Sequence, residues 1–352
     1  MKITYMLRRE DFYEINKNTL KQFYKDSTAE KKLYIYPQLN AIVTAHPSKA
    51  VRRYLYTEYR VSGSLLKRLL VRLYATVMLN SFGLLAAKSL KIKTDADKNT
   101  LIYPCNKKYR VFDFSKNCVS VLGKDGFPGD GIVHEVEFRT RNSANFIPGL
   151  ICGDNKGYTE TIIDGCPVAR TGKRLMELSD RAFEIWSDYI RPYTRQVPAG
   201  VYGDQLLDKT QTLKQRITQL GKTVTFWKLD ALCADFLQVM KAAEETVPVS
   251  MSHGDMQPGN IWVENGTDKI YIIDWESCQS RSAWYDKATL YEGIRRSDGI
   301  ARYAKCRDLL HTTVLWEDVL FRLEELITLP QDYGSREFEA YINVLQEGNG
   351  DV

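Results

Sequence analysis

The stretch that most limits what this chain can fold into is "SHGDMQPGNIWVENGTDKIYIIDWES", residues 252–277. The alternation in "IWVE" and "IYIID" reads as two short strands, with "NGTD" as the turn between them. A hairpin that tight returns its exit to the side of its entrance. It therefore predicts Asn260 and Asp274 on one side, with Asp255 in the loop just ahead facing the same mouth. The side-chain oxygens of Asn260 and Asp274 form a hard-ligand pair suited to Mg²⁺. That ion takes few protein ligands and keeps the rest of its shell for water and phosphate. A separate carboxylate five residues before Asn260 can accept a proton from an attacking hydroxyl.

This division of labour resembles the catalytic loop and metal-binding aspartate of protein kinases. The loop here is His253-Gly254-Asp255 followed by Asn260, and the second motif is Ile273-Asp274-Trp275-Glu276. With Gly in place of the kinase Arg, and Trp-Glu in place of Phe-Gly, it closely resembles the aminoglycoside phosphotransferase and choline kinase-like superfamily. Members of that superfamily phosphorylate small molecules. The resemblance is specific over residues 252–277 and weaker over 101–300.

The resemblance implies ATP and Mg²⁺ as cofactors. It makes Asp255 the catalytic base, His253 the residue orienting its loop, and Asn260 and Asp274 the metal ligands. A phosphate-holding lysine is expected on the third strand, paired with a glutamate on the next helix. Lys124 ends "CVSVLGK", and "GIVHEVEFRT" offers Glu135, narrowly preferred over Glu137. "GYTETIIDG" resembles the strand ending at the hinge, which implies that Glu160 to Ile163, Ile162 among them, lie near the adenine. The tip "PCNKKY" offers Asn106, Lys107 and Lys108 as phosphate-loop candidates, although these are also ordinary hairpin-tip residues. Asp286 in "SAWYDKATL" either braces the catalytic loop or caps a helix.

Around the motif the chain reads as three regions. Residues 1–96 form a mostly helical extension with "LYIYPQLNAIVTA" as a strand pair, closed by the turn-rich "KTDADKNT". Residues 97–165 carry short β-rich runs, "TLIYP", "KYRVFDF", "CVSVLG", "GLICG" and "YTETII", with one helix over "GIVHEVEFRTRNSA". Residues 166–352 are dominated by helical periodicity and hold the catalytic loop and metal site. The expected fold is α+β: a two-lobed protein kinase-like architecture with a small antiparallel β lobe and a larger helical lobe.

Composition narrows the function classes. The 352 residues carry 49 basic and 44 acidic side chains, a formal charge of +5, and no nucleic-acid-binding motif. A nucleotide satisfies so mild an excess, so no nucleic-acid partner is expected. Seven cysteines without a Cys-x-x-Cys pair, and four histidines with none at ligand spacing from a cysteine, argue against a zinc site. The opening "MKITYMLRREDFYEI" has no apolar signal core, so a reducing cytosol is expected.

One segment, residues 65–93, has two readings. Its charge-free part, Leu73 to Ala87, is 15 residues long, short of the roughly 20 that a spanning helix needs. It is read either as a helix packed on the protein through Leu66, Leu69, Leu70, Leu73 and Val77, or as a basic amphipathic helix making peripheral contact with an anionic membrane.

The leading function is ATP- and Mg²⁺-dependent phosphorylation of a hydroxyl on a small molecule, with a sugar or glycolipid precursor favoured by that segment. Aminoglycoside and choline- or ethanolamine-type kinases are alternatives. A protein kinase is disfavoured, because no long activation loop or Ala-Pro-Glu motif follows Asp274. A nucleotide-binding pseudokinase or scaffold would have no need of the intact Asp255, Asn260 and Asp274.

Overall fold

The computed structural model describes residues 12–36, 39–58, 65–80, 83–84, 87–105, 107–329 and 331–349. The backbone divides into two compact units, Met1–Leu175 with Trp262–Glu276, and Met176–Ile261 with Ser277–Val352.

The first unit is built on an antiparallel sheet. In chain order its elements are α1 (Phe12–Phe23), β1 (Glu30–Tyr36), β2 (Ala41–Thr44), α2 (Lys49–Glu58), α3 (Leu65–Met78) and β3 (Lys88–Lys93). Then follow β4 (Thr100–Pro104), β5 (Lys108–Asp113), β6 (Cys118–Gly123), α4 (Asp130–Arg141), β7 (Leu150–Gly153), β8 (Gly157–Thr161) and β9 (Gly165–Pro167). Eight strands pair in the order β3-β1-β2-β4-β5-β6-β8-β7. The expected pair in "LYIYPQLNAIVTA" forms as β1 and β2, with Ile35 opposite Ile42. Pairing of β2 with β4 carries the sheet across residues 95–98 without a break.

Both faces of this sheet are covered, which is why its strands read as near-continuous apolar runs. Side chains of period two split between two cores. Ile42, Ile102 and Val111 join Leu20 and Tyr24 from the α1 side. Val43, Leu101 and Phe112 join Val51 and Leu55 of α2 and Ala75 of α3.

The structure corrects the packing expected of residues 65–93. Among the described residues, 65–78 form a helix, 83–84 are also helical, and Lys88–Lys93 form strand β3. Leu69, Leu70, Leu73 and Val77 are 65%, 55%, 60% and 47% exposed, while Ala75 and Leu79 are buried. The side chain of Leu66 lies outside the described residues. The face of α3 that carries the small Ala75 is the one that packs with Val51 and Leu55 of α2. The leucine stripe is left outward.

The second unit is mostly helical. It contains α5 (Leu175–Ile190), β10 (Arg195–Pro198), α6 (Ala199–Gln219), α7 (Trp227–Ala242), β11 (Thr246–Ser252), β14 (Gln279–Ser282), α8 (Ser297–Ala304), α9 (Leu309–Thr328) and α10 (Gln331–Asn349). The hairpin strands β12 (Ile261–Glu264) and β13 (Ile270–Ile272) lie almost wholly in the first unit, where β12 pairs with β9. The periodic run 301–327 is not one helix. It breaks at residues 305–308, where the Asp308 carboxylate accepts the His311 amide at 3.0 Å and starts α9. Among the described residues no helix is long and apolar enough to cross a membrane.

Candidate active site

In the helical unit, β11 delivers the chain into His253-Gly254-Asp255. Asp286 holds this turn. One of its carboxylate oxygens accepts from the Ser252 hydroxyl at 2.9 Å and the Gly254 amide at 3.0 Å. The other accepts from the His253 amide at 2.8 Å and Trp186 Nε1 at 2.7 Å. Of the two roles open to Asp286 in the sequence, the geometry is that of the brace. Four donors on one buried carboxylate fix the backbone that carries Asp255.

Gly254 has φ +80°, and a Cβ there would stand 2.3 Å from both Arg281 Nη1 and the Ser277 carbonyl. Only glycine fits, which accounts for Gly in the position that protein kinases give to Arg. His253 is fully buried, and its Nδ1 accepts the Asp255 amide at 3.3 Å. Its contacts are those of a loop-orienting group.

Asp255 and Asn260 meet as expected. Asn260 Nδ2 donates to the Asp255 carboxylate at 3.0 Å and to its carbonyl at 2.9 Å, and Gln257 Nε2 donates to the same carboxylate at 3.1 Å. Among the described residues no donor reaches Asn260 Oδ1, so that oxygen remains available to a cation. A residue that the sequence did not single out stands behind Asp255. Arg295 pairs with the buried Asp318 at 3.0 Å, approaches Asp255 Oδ1 at 3.7 Å and donates to the Gly254 carbonyl. Burial alone would make its guanidinium easier to deprotonate, but Tyr285, Asp318 and Asp255 more than offset this. It is a fixed positive charge beside the carboxylate.

The sheet unit holds the second group of polar residues. Lys108 begins β5, opposite Gly123 of β6. Its buried ammonium pairs with Glu135 of α4 at 3.4 Å, with Glu276 at 3.2 Å, and with Asp274. Burial alone would depress its pKa, yet Asp274, Glu276 and Glu135 hold it well above the usual lysine value. Asp274 itself has φ +72°. Such a conformation is uncommon for a residue other than glycine and tends to mark functional sites. The buried Trp275 stacks on Phe138 of α4 at 4.7 Å, which fixes the motif against that helix.

These contacts correct the expected Lys124–Glu135 pair. Lys124 donates to the Cys105 carbonyl and lies 5.1 Å from the Tyr109 ring. The cations on Glu135 are Lys108 and Arg139. The physical reason is register: Lys108 stands directly across from Gly123, so its side chain takes the place beside α4 that a lysine of β6 was expected to fill. Lys108 appeared in the sequence only as a tip residue. Its signal was a lysine opening a strand otherwise made of core positions, and Glu276 had no comparable signal.

The contacts of the remaining described candidates are these. Lys107 accepts the Lys124 amide through its carbonyl at 2.9 Å, and Asn106 lies outside the described residues. Glu160 is buried and paired with Arg139 at 2.6 Å. Burial raises its pKa, partly offset by Arg139. Ile162 packs against the core shared with α2 and α3.

In the sheet unit Asp274 and Glu276 share the Lys108 ammonium, while Glu135 is held by both Lys108 and Arg139. In the helical unit Asn260 offers a side-chain carbonyl oxygen beside Asp255. Hard oxygen donors of this kind suit Mg²⁺.

The model of the phosphotransferase enzyme family matches residues 169–317, a span containing Asp255, Asn260, Asp274 and Asp286. No curated protein sequence matches the chain. Among solved structures, the choline kinase LicA from Streptococcus pneumoniae is 12% identical, over 69% of this chain and 90% of that one, with a TM-score of 0.46. An ethanolamine kinase from Plasmodium vivax is 14% identical over 87% and 95%, with a TM-score of 0.43. A streptomycin–ATP–APH(2")-IIa ternary complex is 12% identical over 70% and 90%, with a TM-score of 0.43. The order of parts along this chain follows the protein kinase-like α+β plan: a sheet lysine paired to a helix glutamate, then the His-Gly-Asp loop, then Asp274. Residues 169–317, which hold the braced loop, are thus similar to the phosphotransferase enzyme family.

Proposed function

We propose that the protein transfers the γ-phosphoryl group of ATP to a hydroxyl of a sugar or glycolipid precursor, at the cytosolic face of a membrane. The observation that carries the transfer is the buried Lys108 ammonium held between Glu135 and Asp274. Lys108 binds the nucleotide phosphates and Glu135 fixes its position. Asn260 and Asp274 are the protein ligands of Mg²⁺, which when bound neutralises charge on the phosphates. Asp255, pinned through Asn260 and Gln257, takes the proton of the acceptor hydroxyl. The acceptor oxygen then bonds to phosphorus as the bond to ADP breaks. Glu160 and Ile162, on and just after β8, stand near the base-binding strand end by analogy with the family. Calorimetry should show ATP binding that requires Mg²⁺; the absence of nucleotide binding with Mg²⁺ present would sink the reading. A screen of ATP consumption against sugars, amino alcohols and aminoglycosides would identify the acceptor class.

The membrane element of this reading rests on α3. Its outward stripe of Leu69, Leu70, Leu73 and Val77 is apolar. Between Glu58 and Asp95 the chain has no acidic residue and seven basic ones: Arg60, Lys67, Arg68, Arg72, Lys88, Lys91 and Lys93. Apolar side chains bordered by cations match the chemistry of an anionic bilayer surface. The protein should sediment with vesicles containing phosphatidylserine and be released by salt. Leu69→Glu with Leu73→Glu, both at exposed positions, should abolish the association. Equal binding to neutral vesicles, or retention by the double variant, would discard the membrane contact while leaving the kinase reading intact.

A further inference from the structure

We infer a zinc site at the junction of α8 and α9, formed by Cys306, Asp308 and His311. Among the described residues these are the His, Cys and carboxylate side chains whose ligand atoms gather closely enough to share an ion, all within 4.8 Å of one another. Nothing in the phosphotransferase reading uses them. The sequence argued against zinc because no cysteine pair and no histidine-cysteine spacing of the usual kind is present. The break between α8 and α9 brings the three together. Cys306 lies just past the end of α8, its amide bonded to the Tyr303 carbonyl at 3.0 Å, and Asp308 turns the chain into α9. His311, in the first turn of α9, folds back so that Nδ1 lies 2.9 and 2.8 Å from the two Asp308 oxygens.

The chemistry of this donor set is selective. A thiolate, an imidazole and one carboxylate are ligands that zinc accepts in tetrahedral geometry, whereas Mg²⁺ and Ca²⁺ require oxygen-rich shells. Two of the donors are anionic, so a divalent ion is neutralised and does not conflict with the positive N-terminal end of α9. The Asp308 oxygen that caps α9 can keep its bond to the His311 amide while the other coordinates. The His311 and Asp308 side chains are 31% and 56% exposed, which leaves the fourth position to water. Bound there, the ion ties the end of α8 to the start of α9 across residues 305–308.

The test uses the full chain, stripped with a chelator and titrated with Zn²⁺ against a chromophoric competitor in excess Mg²⁺. One equivalent should bind, and Cys306→Ser and His311→Ala should each weaken it by at least about 100-fold, since even outer-shell partners cost about 10- to 100-fold. Co²⁺ in place of Zn²⁺ should give a thiolate-to-metal charge-transfer band that Cys306→Ser removes. Asp308→Asn, which keeps the helix cap, serves as a second variant should either of the others fail to fold, and it should weaken binding in the same direction. The inference is overturned if the native chain takes up no stoichiometric Zn²⁺, or if the cobalt band and the affinity survive in the folded variants.

Discussion

Asp255→Asn should leave Mg-nucleotide binding nearly unchanged while turnover falls by about 100-fold or more. The substitution is nearly isosteric, so the contacts from Asn260 and Gln257 still position the side chain. On the proposed reading, what it removes is the basicity that takes the acceptor's proton. Asp274→Asn should fail differently. On the proposed reading it takes a negative charge from a metal ligand, so nucleotide affinity in Mg²⁺ should fall together with turnover. It also takes one carboxylate from the cluster around Lys108. Calorimetry and steady-state kinetics on the two variants separate the roles. Near-normal turnover in Asp255→Asn would show that it is not the base, whatever the fold.

Lys108→Met should be the most damaging change in the sheet unit, and Lys124→Met should be mild. Removing the ammonium leaves the fully buried Glu135 beside Asp274 and Glu276 with one cation fewer. Breaking a buried ion pair from one side costs about 3–5 kcal/mol. Nucleotide binding should be lost as well. The two losses can be separated with a second substitution, because Glu135→Gln added to Lys108→Met relieves the charge surplus and should restore much of the stability without restoring binding. Lys124 donates to a backbone carbonyl and lies near the Tyr109 ring, while the cations on Glu135 are Lys108 and Arg139. Thermal melts and ATP titration of the three variants test the assignment. If Lys124→Met abolished binding and Lys108→Met spared it, the expected third-strand lysine would be right after all.

Several parts of this molecule were legible from local sequence because the forces that fix them are local. The strands β4 to β8 follow from alternation and turn residues, and α4 from a run long enough for one helix. The meeting of Asp255 and Asn260 follows from a five-residue step inside one loop. The bracing role of Asp286 was less legible. Its sequence position allowed a helix cap equally well, and only the return of residues 252–254 onto it decided between the two.

Other features depended on contacts distant in sequence. Which lysine reaches Glu135 was set by the pairing of Lys108 with Gly123 across two strands. A count of strands from Leu101 could not show that. The outward stripe of α3 was settled by competition among the apolar positions of one helix, because an apolar residue does not by itself state that it will be buried. Period alone cannot choose, and the fit of Ala75 against α2 did. The break before α9 arose where the Asp308 carboxylate caps the new helix, which helical spacing by itself does not mark. The sequence by itself pointed to the proposed reaction class, through residues whose chemistry and spacing lie in one hairpin and the loop before it. Tertiary structure alone decided which charges are buried together, because burial and strand register depend on the whole sheet.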